Sequence, residues 1–145
     1  MDCIIVATDG SDGAKRAVSV AAGLARDSGA KLVIANVSGG SEFPGEVFRS
    51  MSRPQNAWLG ELLASESARI LNEARETAAA DGARKIELVS RTGDPAQSIL
   101  DLANERNADA LVVGKRGLGR IQGLLIGSMS QKIISLAKRT VIVVP

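Results

Sequence analysis

The chain has 145 residues, a net charge of +2 and 45% hydrophobic content, which suits one globular domain with a sizeable core. A single cysteine and no histidine exclude an internal disulfide, a thiolate or imidazole metal site and a Ser-His-Asp hydrolase. The small net charge argues against general nucleic-acid affinity, and so few aromatics (Phe43, Phe48, Trp58, no tyrosine) leave little for bases to stack on. No apolar run approaches a membrane span, and no charged segment followed by a long apolar stretch opens the chain. We therefore expect a cytoplasmic protein that is a single domain over residues 1–145.

Ile4 to Ala7 reads as a short strand buried on both faces, with Cys3 as a small core residue at its start. Thr8-Asp9-Gly10-Ser11 is turn chemistry ending in a helix cap at Ser11. Ala14, Ala17, Val18, Ala21 and Leu24 mark one helical face, and Gly29 closes that helix. Leu32 to Val37 is a second buried strand, so the first third is one right-handed β-α-β unit. From Gly39 to Pro54 the rhythm breaks; glycines and prolines predict an excursion with a short helical turn around Glu46 to Met51.

A long helix follows from about Gln55 to Asp81, with Leu63, Ile70, Leu71, Ala74 and Ala78 on one side and Gly82 at its end. Trp58, near its start, reads as a packed or dimer-contact indole. Ile86, Leu88 and Ser90 alternate with Lys85, Glu87, Val89 and Arg91, a weaker strand suited to a sheet edge. Asp94-Pro95-Ala96-Gln97 is a sharp helix start, with Asp94 as cap and Gln97 spaced for a capping box. Ile99, Leu100 and Ala103 face inward, and Asn107 closes the helix. Ala110 to Val113 is a fourth strand and Val141 to Val144 a fifth. This order predicts an α/β sandwich around a mostly parallel sheet.

The stretch from Leu111 to Ile134 carries the chemistry. A buried strand stops at Gly114, a glycine-rich basic loop with Lys115, Arg116 and Arg120 follows, and Gly127-Ser128 opens a helix whose inner face holds Met129, Ile133 and Ala137. From Ala110 to Pro145 there is no acidic residue; Lys132, Lys138 and Arg139 add to the basic ones. A helix N-terminus offers unpaired N–H groups and partial positive charge, and glycines let the main chain approach a ligand. The ligand this fits is a phosphate. In a sheet of order 3-2-1-4-5 the winding reverses between strands one and four, so Thr8-Asp9 and Gly114 are neighbours and Val37 borders the same crevice. An acid beside a phosphate loop makes sense if Asp9 meets ribose hydroxyls, a base or a cation, which points to a nucleotide. The P-loop pattern is absent, and the near-match Gly117-Leu118-Gly119-Arg120-Ile121-Gln122 to a dinucleotide motif fails at its last position.

Gly114-Lys115-Arg116-Gly117, then nine residues to Gly127-Ser128, fits the G-2x-G-9x-G-[ST] signature of the ATP-binding branch of the universal stress protein family. The chain resembles that family from the opening strand and Thr8-Asp9-Gly10-Ser11, through Gly93-Asp94-Pro95, to the terminal Val-Ile-Val-Val-Pro. The resemblance implies a three-layer, Rossmann-like sandwich of the adenine nucleotide alpha hydrolase-like kind, its five parallel strands in the order 3-2-1-4-5, and a homodimer joined through Val141 to Val144. It places Ala7, Thr8, Asp9 and Val37 at adenine and ribose, and Val113 and Gly114 against the nucleoside. It places Arg116, Gly117, Gly127, Ser128, Met129 and Ser130 around the phosphates of ATP (or of AMP or ADP). Mg2+ or Mn2+ would be held mainly by those phosphates, with no protein metal site and no catalytic residue implied. Ala7 departs from the family, where many members have proline.

Simpler roles stand beside these. Gly127-Ser128 is otherwise a helix cap, Asp9 a turn residue, Arg116 a surface charge and Ser130 a solvated first-turn serine. The favoured function is a nucleotide-dependent stress or regulatory module binding ATP. The alternatives are a slow ATPase or phosphoryl- or nucleotidyl-transferring enzyme, and a dimeric interaction protein that binds no nucleotide and acts through its dimer and the 39–54 segment.

Overall fold

Five short segments, four of them largely apolar and the third mixed, form the sheet, each flanked by turn or capping residues that stop it. They are β1 (Cys3–Ala7), β2 (Lys31–Ser38), β3 (Ile86–Thr92), β4 (Ala110–Gly114) and β5 (Thr140–Val144). The computed structural model describes residues 1–39, 51–115, 117 and 126–145. Most of the expected turn around Glu46 to Met51, and Arg116 and Arg120, lie outside those residues. All strand pairs are parallel, in the order β3-β2-β1-β4-β5, as expected. β1 is buried throughout, which is why CIIVA has no alternating polar face.

Four helices cover the two faces. α1 (Asp12–Ser28) and α2 (Arg53–Ala80) pack on the layer holding Ile4, Val6, Leu32, Ile34 and Val112. α3 (Pro95–Glu105) and α4 (Ser128–Leu136) pack on the layer holding Ile5, Val33, Ala35, Leu111 and Val113. Each fully buried Leu or Ile in these layers contributes roughly 1.5–3 kcal/mol. The Cys3 thiol sits at the rim of the second layer, where burial pushes its pKa up.

The helix ends follow local chemistry. Ser11 Oγ accepts from Ala14 N–H at 3.2 Å, and Gly29 closes α1 with a left-handed φ of 73°. α2 starts two residues earlier than its apolar spacing suggests. Ser52 and Gln55 form a reciprocal capping box, and Pro54 fits the first turn because its missing N–H would have had no partner there. Asp94 caps α3 as expected, but the Gln97 side chain does not complete a box; it donates to Asp101 Oδ1 at 2.9 Å, one turn on. Asn107 follows α3 at φ 49°. Leu24, Leu63 and Leu100 are only half-buried on their helices. Trp58 is 62% exposed, so the packed-indole reading is not met.

Candidate functional site

The site is built where β1 and β4 end side by side, the point at which the sheet reverses its winding. Thr8 continues the β1–β2 ladder by donating its N–H to Ala35 O at 2.9 Å. Its hydroxyl accepts from Gly10 N–H at 3.2 Å, and Asp9 Oδ1 accepts from Ser11 N–H at 2.9 Å. These two side-chain turns reverse the chain into α1, with Gly10 at φ 80°. The turn role expected for Asp9 is therefore filled by one of its carboxylate oxygens. The other, Oδ2, lies against Gly117, so close that a Cβ there would overlap it.

Across the crevice the β4 loop is pinned at its stem. Lys115 N–H donates to Val144 O at 2.7 Å, and Gly127 N–H returns to Lys115 O at 2.8 Å. Gly114 faces the first turn of α1; a Cβ on it would sit 3.1 Å from Gly13 C and 3.2 Å from Gly13 O. Ser130 is not solvated. It is buried, and its hydroxyl donates to Gly114 O at 2.7 Å, tying the first turn of α4 to the tip of β4. That hydroxyl has one proton, and it is committed.

Gly127, at φ −66° and ψ 159°, is the N-cap of α4, and no side chain caps the helix. Ser128 is thus the first helical residue rather than the cap. The first-turn N–H groups of Ser128, Met129 and Ser130 have no intrahelical acceptor by the geometry of any α-helix. No acidic residue lies in that turn. The result is a helix end with no capping side chain, tied to the tip of β4 through Ser130 and to the loop stem through Gly127. An anion is what such an end binds.

Of the expected residues, the structure brings together Thr8 and Asp9 from the turn after β1, Gly114 and Gly117 from the end of β4 and the loop beyond it, and Gly127 to Ser130 from the start of α4. Ala7 and Val113 have buried side chains and can offer a ligand only their main chain, while Val37 is half-buried at the end of β2. Two cations drop out of the anion field. Lys132 pairs with Asp94 at 3.1 Å, and Arg139 donates to Ala103 O at 2.9 Å and to Ala108 O at 2.6 Å behind α3. Among the described residues no three His, Cys, Asp or Glu side chains gather around a possible metal position, and no helix is long and apolar enough to cross a membrane. One residue was missed: Asn36, buried at the end of β2, whose Nδ2 donates to Thr8 O at 2.8 Å. Its signal was a carboxamide in the otherwise apolar run from Leu32 to Val37.

Fold and site together define an α/β domain with an uncapped helix N-terminus tied to the tip of β4, at the switch point of a parallel sheet. The model of the universal stress protein family matches residues 1–145, and the chain belongs to that family. A universal stress protein of Mycobacterium tuberculosis is 34% identical over 150 residues, covering 97% of this chain and 94% of that one. The universal stress protein YxiE of Bacillus subtilis is 30% identical over 144 residues, covering 97% of each. Among solved structures, a universal stress protein in complex with cAMP matches at a TM-score of 0.73 and 34% identity, covering 99% of this chain and 95% of that one. UspA from Lactobacillus plantarum matches at a TM-score of 0.82 and 24% identity, covering 99% and 97%, and bears on the fold alone.

Proposed function

We propose that this chain is an adenine-nucleotide-binding module whose physiological ligand is ATP, and that nucleotide occupancy alters its assembly or partner contacts. The observation that carries the reading is the first turn of α4, which no side chain caps and which Ser130 ties to the tip of β4. A relative 34% identical to this chain is described in complex with cAMP, which supports an adenine nucleotide as the ligand class. The main-chain N–H groups of Ser128, Met129 and Ser130 take the phosphates, with Arg116 as their cationic partner. Asp9, with the main chain of Ala7, Thr8, Val37, Val113 and Gly114, takes the nucleoside. A Mg2+ or Mn2+ ion accompanying the nucleotide is held mainly by phosphate oxygens. The module works in the cytoplasm as a homodimer joined through β5.

The test is equilibrium binding of ATP to the wild type and to the Gly127→Val, Ser128→Ala double variant. The expected outcome is micromolar-range binding lost by at least about tenfold, or 1.4 kcal/mol, in the variant. Unchanged affinity sinks the reading. Turnover is measured on the same samples: rapid hydrolysis abolished by Asp9→Asn with ATP still bound would make the protein an enzyme instead.

A further inference from the structure

Asn36 shares its face of β2 with Leu32 and Ile34, which belong to the apolar layer under α1 and α2. It is 5% exposed. A carboxamide placed there is costly unless it is hydrogen-bonded, and the bond it makes is with Thr8 O at 2.8 Å. That acceptor has a particular place in the sheet. β1 and β2 run in parallel with Ala7 opposite Ala35, and Thr8 N–H donates to Ala35 O. The next rung of such a ladder has Val37 N–H donating to Thr8 O. Among the described residues that rung is not formed; the Asn36 side chain meets the Thr8 carbonyl in its place.

We propose that Asn36 is a positioning residue that stops the β1–β2 ladder one rung short, so that the Val37 main-chain N–H is left at the crevice as a donor to a ring nitrogen of the bound base. This rests on the nucleotide reading of the crevice and deepens it. Strand alternation turns Val37 N–H toward β1, on the side where β1 has ended, and its half-buried side chain gives a flat heterocycle an apolar support. A main-chain donor there suits adenine, whose ring nitrogens accept, and the phosphates lie apart from it at the α4 end. Nothing about Asn36 touches those phosphates.

The experiment compares the wild type with Asn36→Leu, whose side chain fills similar space with no donor. Amide hydrogen exchange at Val37 is followed by NMR, and ATP and inorganic tripolyphosphate are titrated into both proteins. In the wild type the Val37 amide exchanges readily and is protected by ATP. In Asn36→Leu the freed Thr8 carbonyl takes the Val37 N–H, so that amide is protected without ligand. ATP affinity then falls about tenfold, while tripolyphosphate affinity is unchanged. Equal Val37 exchange in the two proteins overturns the proposal, as does an equal loss of ATP and tripolyphosphate, which a general loosening of the domain would give. If the wild type binds neither compound, the nucleotide reading fails, yet the Val37 comparison still decides whether Asn36 stops the ladder. Asn36→Ala is measured in the same way if Asn36→Leu does not fold.

Discussion

At the scale of single residues, Gly114 matters through closeness rather than backbone freedom. The tip of β4 meets the first turn of α1 main chain to main chain, because neither Gly114 nor Gly13 has a side chain. A Cβ at 114 would lie 3.1 Å from Gly13 C and 3.3 Å from Ala14 N, tighter than carbon contacts normally allow, and backbone cannot swing aside as a side-chain end does. Gly114→Ala is expected to lower stability by about 1 to 3 kcal/mol. In urea the midpoint falls while the slope stays that of the wild type, since the surface exposed on unfolding hardly changes. An unchanged midpoint would mean that α1 retreats at no cost, and that the contact does not fix the crevice. Ser130 and Asn36 are the other residues that set this geometry. Their roles were not legible beforehand, because their acceptors lie 16 and 28 residues away. A serine in a first turn and an asparagine in a strand look the same whether or not a distant carbonyl awaits them.

At the scale of elements, what was legible is what is decided locally. Ser11, Gly29, Asp94-Pro95 and Asn107 act within a turn of where they stand, so the ends they mark could be placed from neighbouring residues alone. The start of α2 was misplaced for the converse reason. Pro54 looks like a breaker unless Ser52 and Gln55 are seen to form a box around it. Asp94 does more than cap. Its Oδ2 accepts from Gln97 N–H at 2.9 Å and from Lys132 Nζ at 3.1 Å, so one carboxylate joins α3 to α4. The Gln97 amide first, and the ammonium of Lys132 second, hold the Asp94 carboxyl below its ordinary 3.8. A depressed carboxyl adds stability that is complete above its unfolded-state value, near pH 4, and is lost as pH falls through the lower folded value. Asp94→Ala is therefore expected to cost about 1 kcal/mol at pH 7, chiefly the cap, since the exposed ion pair adds little. The gap between variant and wild type narrows only below pH 3.8. Denaturant midpoints at pH 7, 5 and 3 check the sign; a gap already closing at pH 5 would be wrong for this cause.

At the scale of the whole molecule, the two edges of the sheet are finished differently. On the β3 edge, Glu87 bonds Lys31 and Arg106 at 3.0 Å each, and Arg91 donates to Glu105 at 2.8 Å. Charges of this kind discourage another strand from adding there. The β5 edge offers Val141, Ile142 and Val143, half-buried and uncharged. Lys115 N–H donates to Val144 O, so Val144 and, by alternation, Ile142 turn their main-chain groups toward β4. Val141 and Val143 turn theirs outward, where the proposed second copy would pair. Proline removes one N–H, and its effect depends on which way that N–H points. Val143→Pro is expected to leave the β4 ladder intact and yield a folded monomer in sedimentation velocity. Ile142→Pro breaks a β4–β5 bond and costs about 3 kcal/mol or more. A Val143→Pro protein that sediments as the wild type does would rule out assembly through this edge. Because the stem of the β4–α4 loop hangs from Val144, the same pair of variants also bears on coupling. Loss of ATP affinity in the Val143→Pro monomer, with its fold intact, is the result expected if strand pairing at β5 and occupancy at α4 are linked.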